Sequence, residues 1–94
     1  MTMEAADART VAVSLQTESF ARRLDPITEI YAHVDQVNLT VCPTEQAVWD
    51  TWCNLFRVDP ERTKWGRSMV NAVGTWRGVQ INLRGLDTDR WYKP

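Results

Sequence analysis

The sequence predicts an α+β domain: a mostly antiparallel sheet made of two hairpins and an extra N-terminal strand, with one amphipathic helix packed on one face. Three observations predict it. Residues 29–42 and residues 70–84 each consist of two runs of alternating apolar and polar side chains around a short turn. Between them, residues 45–58 carry apolar side chains at helical spacing.

Taken in chain order, residues 1–9 are small and polar and are expected to form a flexible N-terminus. A single domain is expected over residues 10–86, followed by a C-terminal tail over residues 87–94 in which Trp91 and Tyr92 offer a docking point. Residues 10–15 set Val11, Val13 and Leu15 on one side, the pattern of a first strand. Residues 17–24 space Phe20 and Leu24 four apart, as a short helix does. Asp25-Pro26 ends it, because the residue before a proline avoids the α region.

In the first hairpin Ile30, Ala32 and Val34 alternate with Glu29, Tyr31 and His33, and Val37, Leu39 and Val41 alternate with Asn38, Thr40 and Cys42. A two-residue turn at Asp35-Gln36 sets Val34 opposite Val37, Ala32 opposite Leu39 and Ile30 opposite Val41. The apolar sets then share one side.

Pro43 breaks the strand, and Thr44 is read as a helix N-cap with Glu45 in the dipole-favoured first turn. Val48, Trp49, Trp52, Cys53, Leu55 and Phe56 fall in one arc of this helix, and Gln46, Asp50, Asn54 and Arg57 fall opposite. Asp59-Pro60 closes it. Residues 61–67 read as a polar, basic loop. In the second hairpin Val70, Ala72, Gly74 and Trp76 pair with Val79, Ile81 and Leu83 across an Arg77-Gly78 turn, where Gly78 supplies positive φ. No internal repeat stands out.

With 94 residues the chain has room for one core. Its 44% hydrophobic content and five tryptophans, each able to bury about 150–250 Å², argue against extended disorder. No apolar run approaches the roughly 20 residues of a membrane span, and the N-terminus lacks the layout of a secretion signal. Two cysteines are too few for a disulfide scaffold. A cytoplasmic protein is expected.

The net charge of −1 speaks against a dedicated nucleic-acid binder, although residues 1–50 carry −5 and residues 51–94 carry +4. No nucleophile elbow, phosphate loop, dinucleotide fingerprint or zincin motif occurs. His33, the single histidine, has no companion at metal-ligand spacing. Cys42 and Cys53 lie eleven apart without a C-x-x-C partner. The expectation is a non-enzymatic protein with no catalytic residues, no cofactor and no metal.

Two residue sets can carry recognition. The predicted outer face of the sheet presents Tyr31, His33, Asn38, Thr40, Thr75, Gln80, Asn82 and Arg84, a mixture of aromatic, amide and charged groups of the kind protein interfaces use. The expected partner is a protein, with self-association into a homodimer through the sheet. The alternative is a nucleic-acid-binding regulator using Arg57, Arg62, Lys64, Trp65 and Arg67, where bases interleave with one aromatic ring.

Residues 43–52 and the run Gly74-Thr75-Trp76-Arg77-Gly78-Val79 resemble small proteins of actinobacteria, their phages and mobile elements that combine a strand, a tryptophan-containing helix and a G-x-W-x-G-V hairpin. The resemblance covers roughly residues 30–85. It implies an accessory or regulatory role and carries no assigned activity.

Overall fold

The computed structural model of the chain describes residues 8–21 and 27–92. It is α+β: a five-stranded, mostly antiparallel sheet with two helices on its apolar side. The chain order is α1 (Ala8–Ala21), β1 (Ile27–His33), β2 (Gln36–Val41), α2 (Gln46–Phe56), β3 (Lys64–Trp65), β4 (Met69–Trp76) and β5 (Val79–Leu86). Across the sheet the order is β1-β2-β5-β4-β3. The two hairpins therefore meet at β2 and β5, which run parallel, while every other pair is antiparallel. Sequence reading did not anticipate that parallel seam, and the short helix it expected over residues 17–24 is, as far as residue 21, the second half of a longer helix that starts at Ala8.

The N-terminal helix replaces the strand expected over residues 10–15. Its residues Ala8, Val11 and Leu15, spaced by three and four, are buried on the sheet, whereas Val13 is 65% exposed. The alternation of Val11, Val13 and Leu15 was thus a short coincidence with period two, and the helical period prevailed once a sheet was present to receive it. The stop expected at Asp25-Pro26 lies outside the described residues, as do residues 1–7.

The first hairpin turns at Val34-Asp35, one residue earlier than expected. His33 pairs with Gln36, Ala32 with Val37 and Ile30 with Leu39, with a bulge between Ile27 and Glu29. This register differs by two from the expected one, and two is the side-chain period, so the apolar and polar faces stand as read. Val34 adopts φ 48° and is 81% exposed. The second hairpin has the expected register, with Trp76 opposite Val79, Gly74 opposite Ile81 and Ala72 opposite Leu83. Arg77 (φ 53°) and Gly78 (φ 81°) make its turn.

The amphipathic helix α2 starts one residue later than anticipated. Glu45, extended at φ −161°, occupies the N-cap position assigned from sequence to Thr44, and its side chain makes no capping bond. At the other end Arg57 takes the left-handed conformation, φ 52°, and the Val58 N–H donates to the Cys53 carbonyl at 3.0 Å, a Schellman-type closure. Trp49, Trp52 and Phe56 are buried, and Trp52 stacks on Phe56 at 5.8 Å.

Two glycines admit this helix to the sheet. A Cβ on Gly74 would fall 2.4 Å from the Phe56 carbonyl oxygen, and one on Gly85 would fall 2.9 Å from the Trp49 ring. Both occupy inward-facing positions where the neighbouring strands carry β-branched side chains, Ile81 beside Gly74 and Val41 and Val70 beside Gly85. Removing those side chains lets backbone and indole settle directly onto β4 and β5.

The segment expected as a loop over residues 61–67 is partly regular. A 3₁₀ turn spans Pro60–Arg62, with the Asp59 side chain accepting from the Glu61 N–H at 2.9 Å, and β3 then pairs with β4. The residues expected as a tail are also packed as far as Tyr92. The Thr88 N–H donates to the Ser68 carbonyl at 3.1 Å, and Trp91 Nε1 donates to the Pro43 carbonyl at 2.9 Å.

Candidate interaction surface

Alternation along each strand decides what reaches each side of the sheet. Val37, Leu39, Val41, Val70, Ala72, Val79, Ile81 and Leu83 face the helices and are buried. The intervening residues form the opposite face, which no described element covers.

Strand register arranges that face in three rows across the sheet. The first contains His33, Gln36, Gln80 and Thr75; the second contains Tyr31, Asn38, Asn82 and Val73; the third contains Glu29, Thr40, Arg84, Asn71 and Lys64. All eight residues expected to bind a partner lie here: Tyr31, His33, Asn38, Thr40, Thr75, Gln80, Asn82 and Arg84.

Four of these eight are directly linked to one another or to a neighbour on the face through amide hydrogen bonds. Asn82 Nδ2 donates to Asn38 Oδ1 at 2.8 Å and to Gln36 Oε1, while Gln80 Nε2 donates to Asn82 Oδ1 at 2.9 Å. In the third row Arg84 Nε donates to Asn71 Oδ1 at 3.3 Å. Along β1 the rings of Tyr31 and His33 stack at 6.1 Å with an interplanar angle of 18°. A cleft of about 440 Å³ opens over the second and third rows, bordered by Glu29, Tyr31, Asn38, Asn71, Asn82 and Arg84.

Gln36 and Asn71 were missed as members of this array. Sequence reading puts Gln36 in the turn, and Asn71 joins the face through its pairing with Arg84. A signal for the network was present in the chain. Gln36-Val37-Asn38-Leu39 and Gln80-Ile81-Asn82-Leu83 are near-identical, and the parallel pairing aligns them residue for residue. Parallel in-register strands put like beside like, which is the geometry in which amide side chains form ladders.

The second expected set is divided by the fold. Lys64 pairs with Asn71 and so shares the polar face, whereas Trp65 pairs with Val70 and lies on the helix side. One face of Trp65 is covered: its ring stacks on Tyr92 at 3.7 Å and 12°, with Trp49 and Trp91 edge-on at 6.2 and 6.1 Å. Arg57 and Trp65 border a second groove of about 450 Å³ between α2 and the 3₁₀ turn, which also contains Asp50 and Cys53. Arg62 and Arg67 are exposed and do not line it.

Burial pushes the Cys53 thiol from 9.0 up to about 12, with the nearby Asp50 carboxylate adding to the effect. It is therefore protonated at neutral pH. The Cys42 Sγ lies 3.5 Å from Asp87 Oδ2. Among the described residues, no three His, Cys, Asp or Glu side chains converge as a metal site, and no helix is long and apolar enough to cross a membrane. Comparison with protein-family models, curated proteins and solved structures gives no match.

Proposed function

We propose that this chain is a small, non-enzymatic interaction or regulatory protein of the cytoplasm that binds a protein partner through the polar face of its sheet and self-associates through the same sheet. One observation carries the reading: the exposed amides are tied to each other, so the surface is ordered before any partner arrives. A hydrated sheet face needs only to be polar. This one also has a cleft, a stacked aromatic pair and an arginine held by an asparagine. Pre-ordered side chains lose less entropy on binding, and tyrosine and arginine are favoured anchors at protein interfaces.

The nucleic-acid alternative has weaker support. Lys64 lies on the polar face while Arg57 borders the groove beside α2, and one face of the ring required for base stacking is already stacked on Tyr92. Its expected signature is a salt-sensitive mobility shift lost in Arg62→Ala/Lys64→Ala/Arg67→Ala.

The test is affinity capture from the native host with wild-type protein and a Tyr31→Ala/Arg84→Ala variant, followed by titration calorimetry with the captured protein. Binding that weakens at least about tenfold in the variant, at an unchanged thermal midpoint, supports the polar face as the site. Equal affinity for both forms removes it.

A further inference from the structure

The two edges of the sheet are protected very differently. The β3 edge is two residues long and carries Lys64, and both shortness and a lysine discourage further pairing. The β1 edge is seven residues long, contains no lysine, arginine or proline, and is rich in β-branched and aromatic residues. Among the described residues nothing pairs with its outer side. Its one defect is the bulge near Thr28, which leaves Glu29 to His33 as a regular, unpaired run.

We propose that this run pairs antiparallel with the same run of a second copy of the chain, centred on Tyr31. The proposal rests on the self-association half of the function proposed above and specifies its edge and register. Face continuity selects the register first, because polar side chains must meet polar ones and apolar must meet apolar. Only pairings centred on a residue, rather than between two, satisfy that.

Three such centres are available. Centring on Ile30 carries His33 to the bulged end of the partner strand, opposite Ile27. Centring on Ala32 places Glu29 opposite the partner's Asp35, two like charges. Centring on Tyr31 places Glu29 opposite the partner's His33 on the polar side, with the two tyrosines adjacent. On the apolar side it places the half-buried Ile30 against the partner's Ala32. Complementarity on both sides is reached in this register alone.

The product is a continuous ten-stranded sheet with both polar faces on the same side and all helices on the other. Its interface is small, since only five residues per chain enter the ladder, so a micromolar dimer is expected.

Analytical ultracentrifugation over a concentration series reads the association, and Tyr31→Cys in a Cys42→Ser background reads the register. Residues opposite each other in an antiparallel pair lie about 4.5–5.5 Å apart at Cα, within disulfide reach. The expected results are a wild-type dimer, an oxidised 31–31 cross-link, and no cross-link for Thr75→Cys on β4. Glu29→Lys is expected to weaken the dimer roughly tenfold through two symmetric mismatches, and Glu29→Lys/His33→Glu to restore it. Circular dichroism identifies any variant that fails to fold.

A monomer at all concentrations overturns the proposal together with self-association, and leaves the partner-binding face to its own test. A dimer that ignores positions 29 and 33 and fails to cross-link at 31 overturns the edge and register only.

Discussion

The side-chain amide of Asn82 donates to Oδ1 of Asn38 at 2.8 Å across the one parallel seam of the sheet. Asn82 also donates to Gln36 and accepts from Gln80, so a single residue ties both hairpins together on the solvent side. The apolar side of the same seam is closed by Val37 against Ile81 and Leu39 against Leu83.

Truncating that hub separates the polar tie from the apolar one. Asn82→Ala is expected to lower unfolding free energy by about 1 kcal/mol, since exposed hydrogen bonds exchange readily with water. Urea denaturation measures it. The effect on partner affinity should exceed the effect on stability, because the neighbouring amides lose their fixed orientation. Equal, negligible effects on both would remove the ordered array from the argument.

Gly74 tests the closest helix-sheet approach. With Phe56 backbone atoms 2.4 Å from where a Cβ would sit, Gly74→Ala forces α2 away from β4. A loss of about 2 kcal/mol or more is expected from overpacking, seen as a lower urea midpoint. Gly66→Ala, whose new methyl would meet only the Met69 carbonyl at 3.3 Å, should cost much less.

The tip of the first hairpin carries strain that can be removed. A β-branched residue at φ 48° is disfavoured, and at 81% exposure Val34 makes little packing in return. Val34→Asn is expected to stabilise the protein by about 1 kcal/mol, because asparagine tolerates the left-handed region. A rise in thermal midpoint checks this, and an unchanged or lower midpoint overturns it.

Cys53 predicts an alkaline dependence. Its pKa is raised in the fold to about 12 from 9.0, so the folded state holds the proton more tightly than the unfolded state. The resulting stability is complete below about pH 9 and is lost as the pH rises toward about 12. Wild-type denaturation midpoints should therefore fall more steeply over that window than those of Cys53→Ala. At neutral pH a thiol-reactive dye should label Cys53 slowly in the folded protein and faster on unfolding.

The legible parts of this protein were those governed by near neighbours. The second hairpin could be read in register because Gly78 marks its turn and strict alternation flanks it. The first was read two residues out of register, yet with its faces right, because a shift of two leaves each side chain on the same face. Helix α2 was legible from the arc containing Trp49, Trp52 and Phe56. The first half of helix α1 was not, since Val11 and Leu15 satisfy both the strand period and the helix period over so short a stretch. The two-residue β3 is below the length at which any period can show.

The outward placement of Tyr31, Asn38, Gln80, Asn82 and Arg84 was determined by the sequence itself, through alternation within each strand. Tertiary structure alone decided that β2 lies beside β5 and runs parallel to it, and thereby that Gln36-x-Asn38 aligns with Gln80-x-Asn82 in one hydrogen-bonded array. The physical reason is range. A side chain's face follows from dihedral geometry one or two residues away, whereas the seam joins residues 44 apart and forms only when both hairpins bury their apolar sides in one core.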